Sequence, residues 1–236
     1  MLRMLLSLLL KQFRGGVLSS MKKFSIPFLN IVRKNNEMLY LKKIRRKNHN
    51  LNPTIISNNC IGGVIYHNLG LRFLSPTVNL FVKSDDYLTF CKNLKYYSSC
   101  DIVQVDDIDR DYPVGRIVPL DHNHKEITIF FQHYKSFDDA RKKWIERYHR
   151  INWNNIFYIY EFYDTIYDNQ LLYDFDQADL PGKKILLLHR EIPNVKNIFV
   201  LSCYKEDLPT AKVFEYKGIS GRRYLDEFDY VDFLNT

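Results

Sequence analysis

In "SNNCIGG", residues 57–63, a cysteine stands between two asparagines and a glycine pair, just after the β-branched run "TII". A strand that passes through a tight polar turn into a helix places Cys60 at a positive helix end. Unpaired N–H groups and the helix dipole stabilise a thiolate there, lowering its pKa and making it a nucleophile. The turn residues Asn58 and Asn59, with the N–H groups of Ile61 and Gly62, are candidate oxyanion and substrate contacts. Gly62 and Gly63 lack the Cβ that would keep a substrate off the backbone. A nucleophile needs a base, and His133, at the end of the strand-like "FFQHY", is the candidate. Two plainer alternatives stand beside this one. A single cysteine is often a small, inert core side chain, and the turn could cradle a phosphate on its N–H groups without covalent chemistry. It lacks the Lys-Ser/Thr ending of a P-loop and the spacing of a dinucleotide fingerprint.

Other constellations carry different chemistry. "VQVDDIDRD" (103–111) places Asp107 and Asp109 just after a strand, where hard divalent cations and a sugar-nucleotide diphosphate could be bridged by oxygen ligands; a solvated acidic loop is the alternative. In "ARKKWIERYHR", Lys143 and Arg147 are four apart and can face one sheet edge together to hold an anionic group, with Trp144 and Tyr148 on the other side. His122 and His124 in "DHNHKE" sit in a polar hairpin tip and read as exposed. Cys60, Cys91, Cys100 and Cys203 form no CxxC pair, so reduced thiols are expected and neither a metal nor a cofactor is implied.

The elements that must position these groups alternate between strand and helix. "TIIS" (54–57), "SPTVNLFV" (75–82), "DIVQV" (101–105), "VGRIVPL" (114–120), "EITIFFQHY" (126–134), "NIFYIYEF" (155–162), "KKILLLHR" (183–190) and "NIFVLSCY" (197–204) read as strands. The fourth and fifth of these, 114–120 and 126–134, form a hairpin across "DHNHK". Helices are predicted over 60–69, closed by Gly70 in the left-handed position after a helix end, from Ser84 to about Ser98, after a Ser136 cap, within "DTIYDNQLLYDFDQA", and over "RRYLDEFDYVDFL". Runs such as "ILLL" are continuously apolar, as strands covered on both faces are. The fold class is therefore α/β: a single domain over 51–236 with a mixed, helix-covered sheet, preceded by a basic segment over 1–50.

Charge divides the chain in the same place. The net charge of +7 hides 12 Lys/Arg and one acid, Glu37, in residues 1–50, against 22 basic and 26 acidic residues in the rest. A nucleic-acid enzyme spreads its basic residues over its folded surface, so no nucleic-acid partner is expected. The apolar run Met4–Leu10 is too short to span a bilayer, which needs about 20 apolar residues, and no small-x-small cleavage site follows it. Met21 offers an alternative start. The basic segment is partly helical or disordered. It suits a peripheral contact with the anionic inner leaflet, where each Lys or Arg contributes roughly 1 kcal/mol. A cytoplasmic location, at most peripheral to that leaflet, is expected. Apolar content of 46% and aromatic content of 15% exclude an intrinsically disordered chain.

Taken together, "PTIISNNCIGGVIYHNLGLRFLSPTVNLFV", "YPVG" and "ITIFFQHYKSFDDARKKWIERYHRINWNNIFYIYE" resemble a bacterial family known as domain of unknown function 1919, whose members are often described as exopolysaccharide or capsule biosynthesis proteins. The resemblance runs from about Asn52 into the C-terminal third, with Ile61 where the family pattern has an aromatic. It implies an α/β domain and a place in surface-polysaccharide biosynthesis. The order of Cys60 opening a helix and His133 on a later strand is also similar to that of papain-like cysteine peptidases and acyltransferases. That likeness implies a third member, with Asn152, Asn155 and Glu161 as candidates. The expected function is acyl transfer to a glycan or activated sugar through a Cys60 thioester. Metal-dependent glycosyl transfer at Asp107 and Asp109, or a non-catalytic assembly role at the membrane, are the alternatives.

Overall fold

The computed structural model describes residues 29–106, 109–162, 169–203 and 210–236. Its first element is helix α1, residues 29–47. Then follow β1 (Thr54–Ser57), α2 (Ile61–Leu69), β2 (Phe81–Val82), α3 (Ser84–Lys92), α4 (Leu94–Ser99), β3 (Ile102–Val105), β4 (Val114–Ile117), β5 (Ile127–Phe130) and α5 (Phe137–Tyr148). The chain continues with β6 (Ile156–Glu161), α6 (Asn169–Gln177), β7 (Lys183–Leu188) and β8 (Ile198–Val200). It closes with short 3-10 turns at Thr210–Phe214 and Tyr224–Glu227 and with α7 (Tyr230–Asn235).

The α/β organisation is the one expected, with the strands divided between two sheets. One is parallel, in the order β1-β6-β7-β8, and the other antiparallel, in the order β2-β5-β4-β3. The parallel sheet is covered on both faces, and its side chains alternate accordingly. Ile55, Phe157, Ile159 and Leu187 pack with α2, α7 and the inner side of α1, while Ile56, Tyr158, Tyr160, Leu186 and Leu188 pack with α3 to α6 and the antiparallel sheet. Tyr87 ties the second layer down, its hydroxyl donating to the Ile56 and Ile159 carbonyls at 2.9 and 3.0 Å. The predicted β4–β5 hairpin is present, pairing Val114 with Phe130 and Ile117 with Ile127.

The helix expected from Ser84 to about Ser98 is broken at Asn93, whose φ of −126° and ψ of 38° are not helical, into α3 and α4. Three further elements differ from the sequence pattern, each for a local reason. The strand expected over 75–82 is confined to Phe81–Val82, because Asn79 takes a left-handed φ of 66° that breaks an extended run. The strand expected to carry His133 ends at Phe130: Phe131 and Tyr134 turn their rings together at 5.6 Å, which leaves Gln132 and His133 facing solvent. The C-terminal helix is cut at Phe228, whose ψ of 118° is extended, and restarts under an Asp229 cap that accepts from the Asp232 N–H at 3.1 Å. Gly70 closes α2 at a left-handed φ of 69°, as expected.

Asparagines fasten the segment that follows α1 to the C-terminal helix and to the start of β6. Asn50 donates to the Leu234 carbonyl at 2.7 Å and exchanges amide hydrogen bonds with Asn155, while Asn235 donates to the Lys47 carbonyl at 2.9 Å. Farther along α1, Gly221 lies so close that an added Cβ would sit 2.1 Å from the Glu37 nitrogen, and its own φ is 72°. Gly221→Ala is expected to destabilise the protein by at least about 2 kcal/mol, combining left-handed strain with backbone overlap; the midpoint of urea unfolding measures it.

Candidate functional site

The parallel register decides which groups can meet. Thr54 lies beside Ile156 and Ser57 beside Ile159, so the turn after β1 adjoins the end of β6, where Glu161 stands. Asn152 and Asn155 precede β6 and lie at its opposite end, about 20 Å from Glu161 at some 3.3 Å per residue. Of the three candidates for a third catalytic member, only Glu161 is therefore near Cys60. Asn152 instead donates to the Asn52 carbonyl, and Asn155 belongs to the asparagine clasp.

Both turn asparagines are used to hold Glu161. The fully buried Asn58 donates to the Glu161 carbonyl at 2.8 Å and accepts from the Glu161 N–H at 3.0 Å, continuing the β1–β6 ladder with a side-chain amide. Asn59 donates from Nδ2 to Glu161 Oε2 and accepts from the Ile61 N–H at 3.0 Å. Glu161 is 1% exposed, and burial pushes its carboxyl up from 4.5 to about 8, against the opposing pull of the Asn59 hydrogen bond.

Cys60 is the N-cap residue of α2, as expected, and it is half-buried and free. Its thiol is not activated in this state. Burial first, and the Glu161 charge second, push it up to about 11, outweighing the helix end. The expected oxyanion donors are also taken: the Ile61 N–H by Asn59 Oδ1 and the Gly62 N–H by Ser57 Oγ at 3.1 Å. The glycine pair serves packing rather than substrate approach. A Cβ on Gly62 would meet Ser57 Oγ at 2.7 Å, and one on Gly63 would meet the Val78 side chain at 3.2 Å. Cys203, after β8, faces the same carboxylate, and burial and then Glu161 push its thiol up to about 12.

His133 is exposed, and no contact joins it to Cys60 among the described residues. The residue of that turn that approaches the thiol is Tyr134, whose pKa is raised by burial, held back by Arg147, and raised further by Cys60. Arg147 is 6% exposed because it shares the inward stripe of α5 with Ala140 and Trp144 at helical spacing. Its Nη1 donates to Tyr134 Oη at 2.6 Å and to the Val78 carbonyl at 3.0 Å, and the guanidinium lies over the Phe73 ring. No carboxylate pairs with it among the described residues. Lys143 does not join it but lies outside, bonded to Glu146 at 2.9 Å, because α5 turns the 140–144–147 stripe inward.

Of the metal candidates, Asp107 lies outside the described residues and Asp109 is exposed in a turn. Among the described residues no group of three or more His, Cys, Asp and Glu could hold a metal ion. His124 stacks on Tyr96 at 3.9 Å and bonds Asp121. A cavity of about 700 Å³ opens beside this acidic segment, at the end of β3, and is lined by Asp106, Arg110, Asp111, Lys135 and Asp138.

The family described as domain of unknown function (DUF1919) matches residues 22–235. An uncharacterized protein of Haemophilus influenzae is 32% identical over 213 residues, which span 89% of this chain and 98% of that protein.

Glu161 makes stability depend on pH with an uncommon sign for a carboxylate. Its folded pKa, about 8, lies above its ordinary 4.5, so the native state holds the extra proton in this window. Stability is present below the ordinary value and is lost as pH rises toward the folded one. Urea midpoints followed from about pH 5 to 9 should fall for the native sequence, and Glu161→Gln should flatten that fall. The same substitution removes the negative charge that Glu161 carries beside Cys60 above about pH 8. Alkylation of Cys60 by iodoacetamide at about pH 9, slow in the native protein, is expected to accelerate severalfold in this variant, read by peptide mass spectrometry.

Proposed function

This chain belongs to the DUF1919 family, and we propose that it is a transferase of surface-polysaccharide biosynthesis, passing an acyl group to a glycan hydroxyl with Glu161 as its acid–base group. The observation that carries this reading is the buried Glu161 carboxyl, raised to about 8 beside Cys60 at the carboxyl end of the parallel strands. Ligands of open α/β sheets bind at such strand ends, and a carboxyl near neutrality both accepts and returns protons efficiently. Glu161 takes over the role first given to His133.

In the first half-reaction Glu161 accepts the thiol proton as Cys60 sulfur attacks the donor carbonyl. The bond to the donor's leaving group breaks, and Glu161 returns the proton to that group. In the second half Glu161 takes the proton of the glycan hydroxyl, whose oxygen attacks the thioester. The C–S bond breaks, and the proton passes from Glu161 to the released sulfur. Arg147, a buried cation with no carboxylate partner among the described residues, suits a donor with an anionic end and would orient it through Tyr134.

Glu161→Gln is expected to lower turnover about 100-fold or more, and Cys60→Ala to abolish it and to remove the acyl adduct that intact-mass measurement finds after incubation with activated thioesters. Full activity in both variants would overturn the assignment. Metal-dependent glycosyl transfer is favoured by one observation, the cavity of about 700 Å³ lined by Asp106, Asp111 and Asp138 in the same acidic segment and at the start of α5. It predicts turnover that survives Cys60→Ala and stops on chelation.

A further inference from the structure

We propose that the outward face of α1 docks on an anionic lipid surface. The other side of this helix is held by the body of the protein. Tyr40, Leu41 and Ile44 pack against the parallel-sheet layer, and Arg45 donates to the Asn68 and His67 carbonyls at 2.7 and 3.2 Å. The one acid of α1, Glu37, also points inward, accepting from the Tyr216 hydroxyl at 2.6 Å and pairing with Arg223. What remains outward is basic and apolar. Ile31, Met38 and Leu39 are 59, 61 and 62% exposed. Lys34, Met38 and Lys42 follow one another at intervals of four, and Leu39 stands beside Lys43 by the same spacing, with Arg46 three residues further on. Among the described residues these four basic side chains have no ion-pair partner. A trough of about 710 Å³ runs between Lys34, Met38, Lys42, Arg46 and His67.

Charge complementarity selects the occupant. Lysine and arginine heads meet lipid phosphates while methionine and leucine side chains enter the acyl boundary, as interfacial helices do. A nucleic acid would use the charges but leave Met38, Leu39 and Ile31 in water, and the rest of the chain carries more acids than bases, so no second basic face extends a track for it. No helix among the described residues is long and apolar enough to cross a membrane. The contact is therefore along the surface, and it is independent of the chemistry at Glu161.

The test is flotation of the full chain with vesicles of phosphatidylcholine alone or mixed equally with phosphatidylglycerol. Binding is expected only to the mixed vesicles and should weaken as salt is raised. The triple variant Lys42→Glu, Lys43→Glu, Arg46→Glu should lower affinity about a hundredfold, and Met38→Ser with Leu39→Ser should lower it severalfold. All five side chains are exposed, so an unchanged thermal melt separates lost binding from lost folding. Binding that survives both variants would overturn the proposal and place any lipid contact on residues before α1. Loss in the charge variant alone, with equal competition by RNA, would overturn it in favour of a polyanion.

Discussion

A carboxyl group sealed behind two amides organises this molecule. Glu161 ends a strand buried on both faces, where an ionised group has no water to stabilise it. Its hydrogen bonds come from the polar turn that follows the neighbouring strand. That dependence fixes the turn: Asn58 and Asn59 cannot reach for a substrate while they hold Glu161, and Ser57 is occupied between the Asn59 carbonyl and the Gly62 N–H. The start of α2 is thus built from the carboxylate outward, and Cys60 inherits its environment from that arrangement. Burial first, and the Glu161 charge second, make the thiol titrate upward instead of downward.

The same logic explains how a cationic group survives nearby. Arg147 is buried on α5, yet its guanidinium is satisfied by neutral oxygens and an aromatic ring. Tyr134 accepts from Arg147 and lies close enough to Cys60 to feel its charge. An anion held at one end and a proton-transfer group at the other is the electrostatic layout that the proposed reaction requires.

Much of the frame was legible because period and polarity agreed. "TIIS", "IFYIYE" and "KKILLL" are strands because unbroken apolar runs fit only a sheet covered on both faces, and Ser136 capped α5 as its acids implied. What escaped reading depended on partners distant in sequence. Nothing in "FFQHY" says that Phe131 and Tyr134, rather than His133, turn inward. The charge of Arg147 outweighs its place in the Ala140–Trp144 stripe when hydropathy alone is counted. Glu161 left a usable trace: a lone carboxylate closing six buried strand residues has to be stabilised by something.

The route of the chain through the parallel sheet has a consequence for biosynthesis. Among the described residues β1 pairs only with β6, and the whole antiparallel sheet with four helices is threaded between them. While the ribosome is still making that excursion, "TIIS" has no partner and α2 has no floor. Native assembly of this layer has to wait for "IFYIYE" to emerge, which makes the first strand a late-rewarded, chaperone-exposed segment rather than a nucleus.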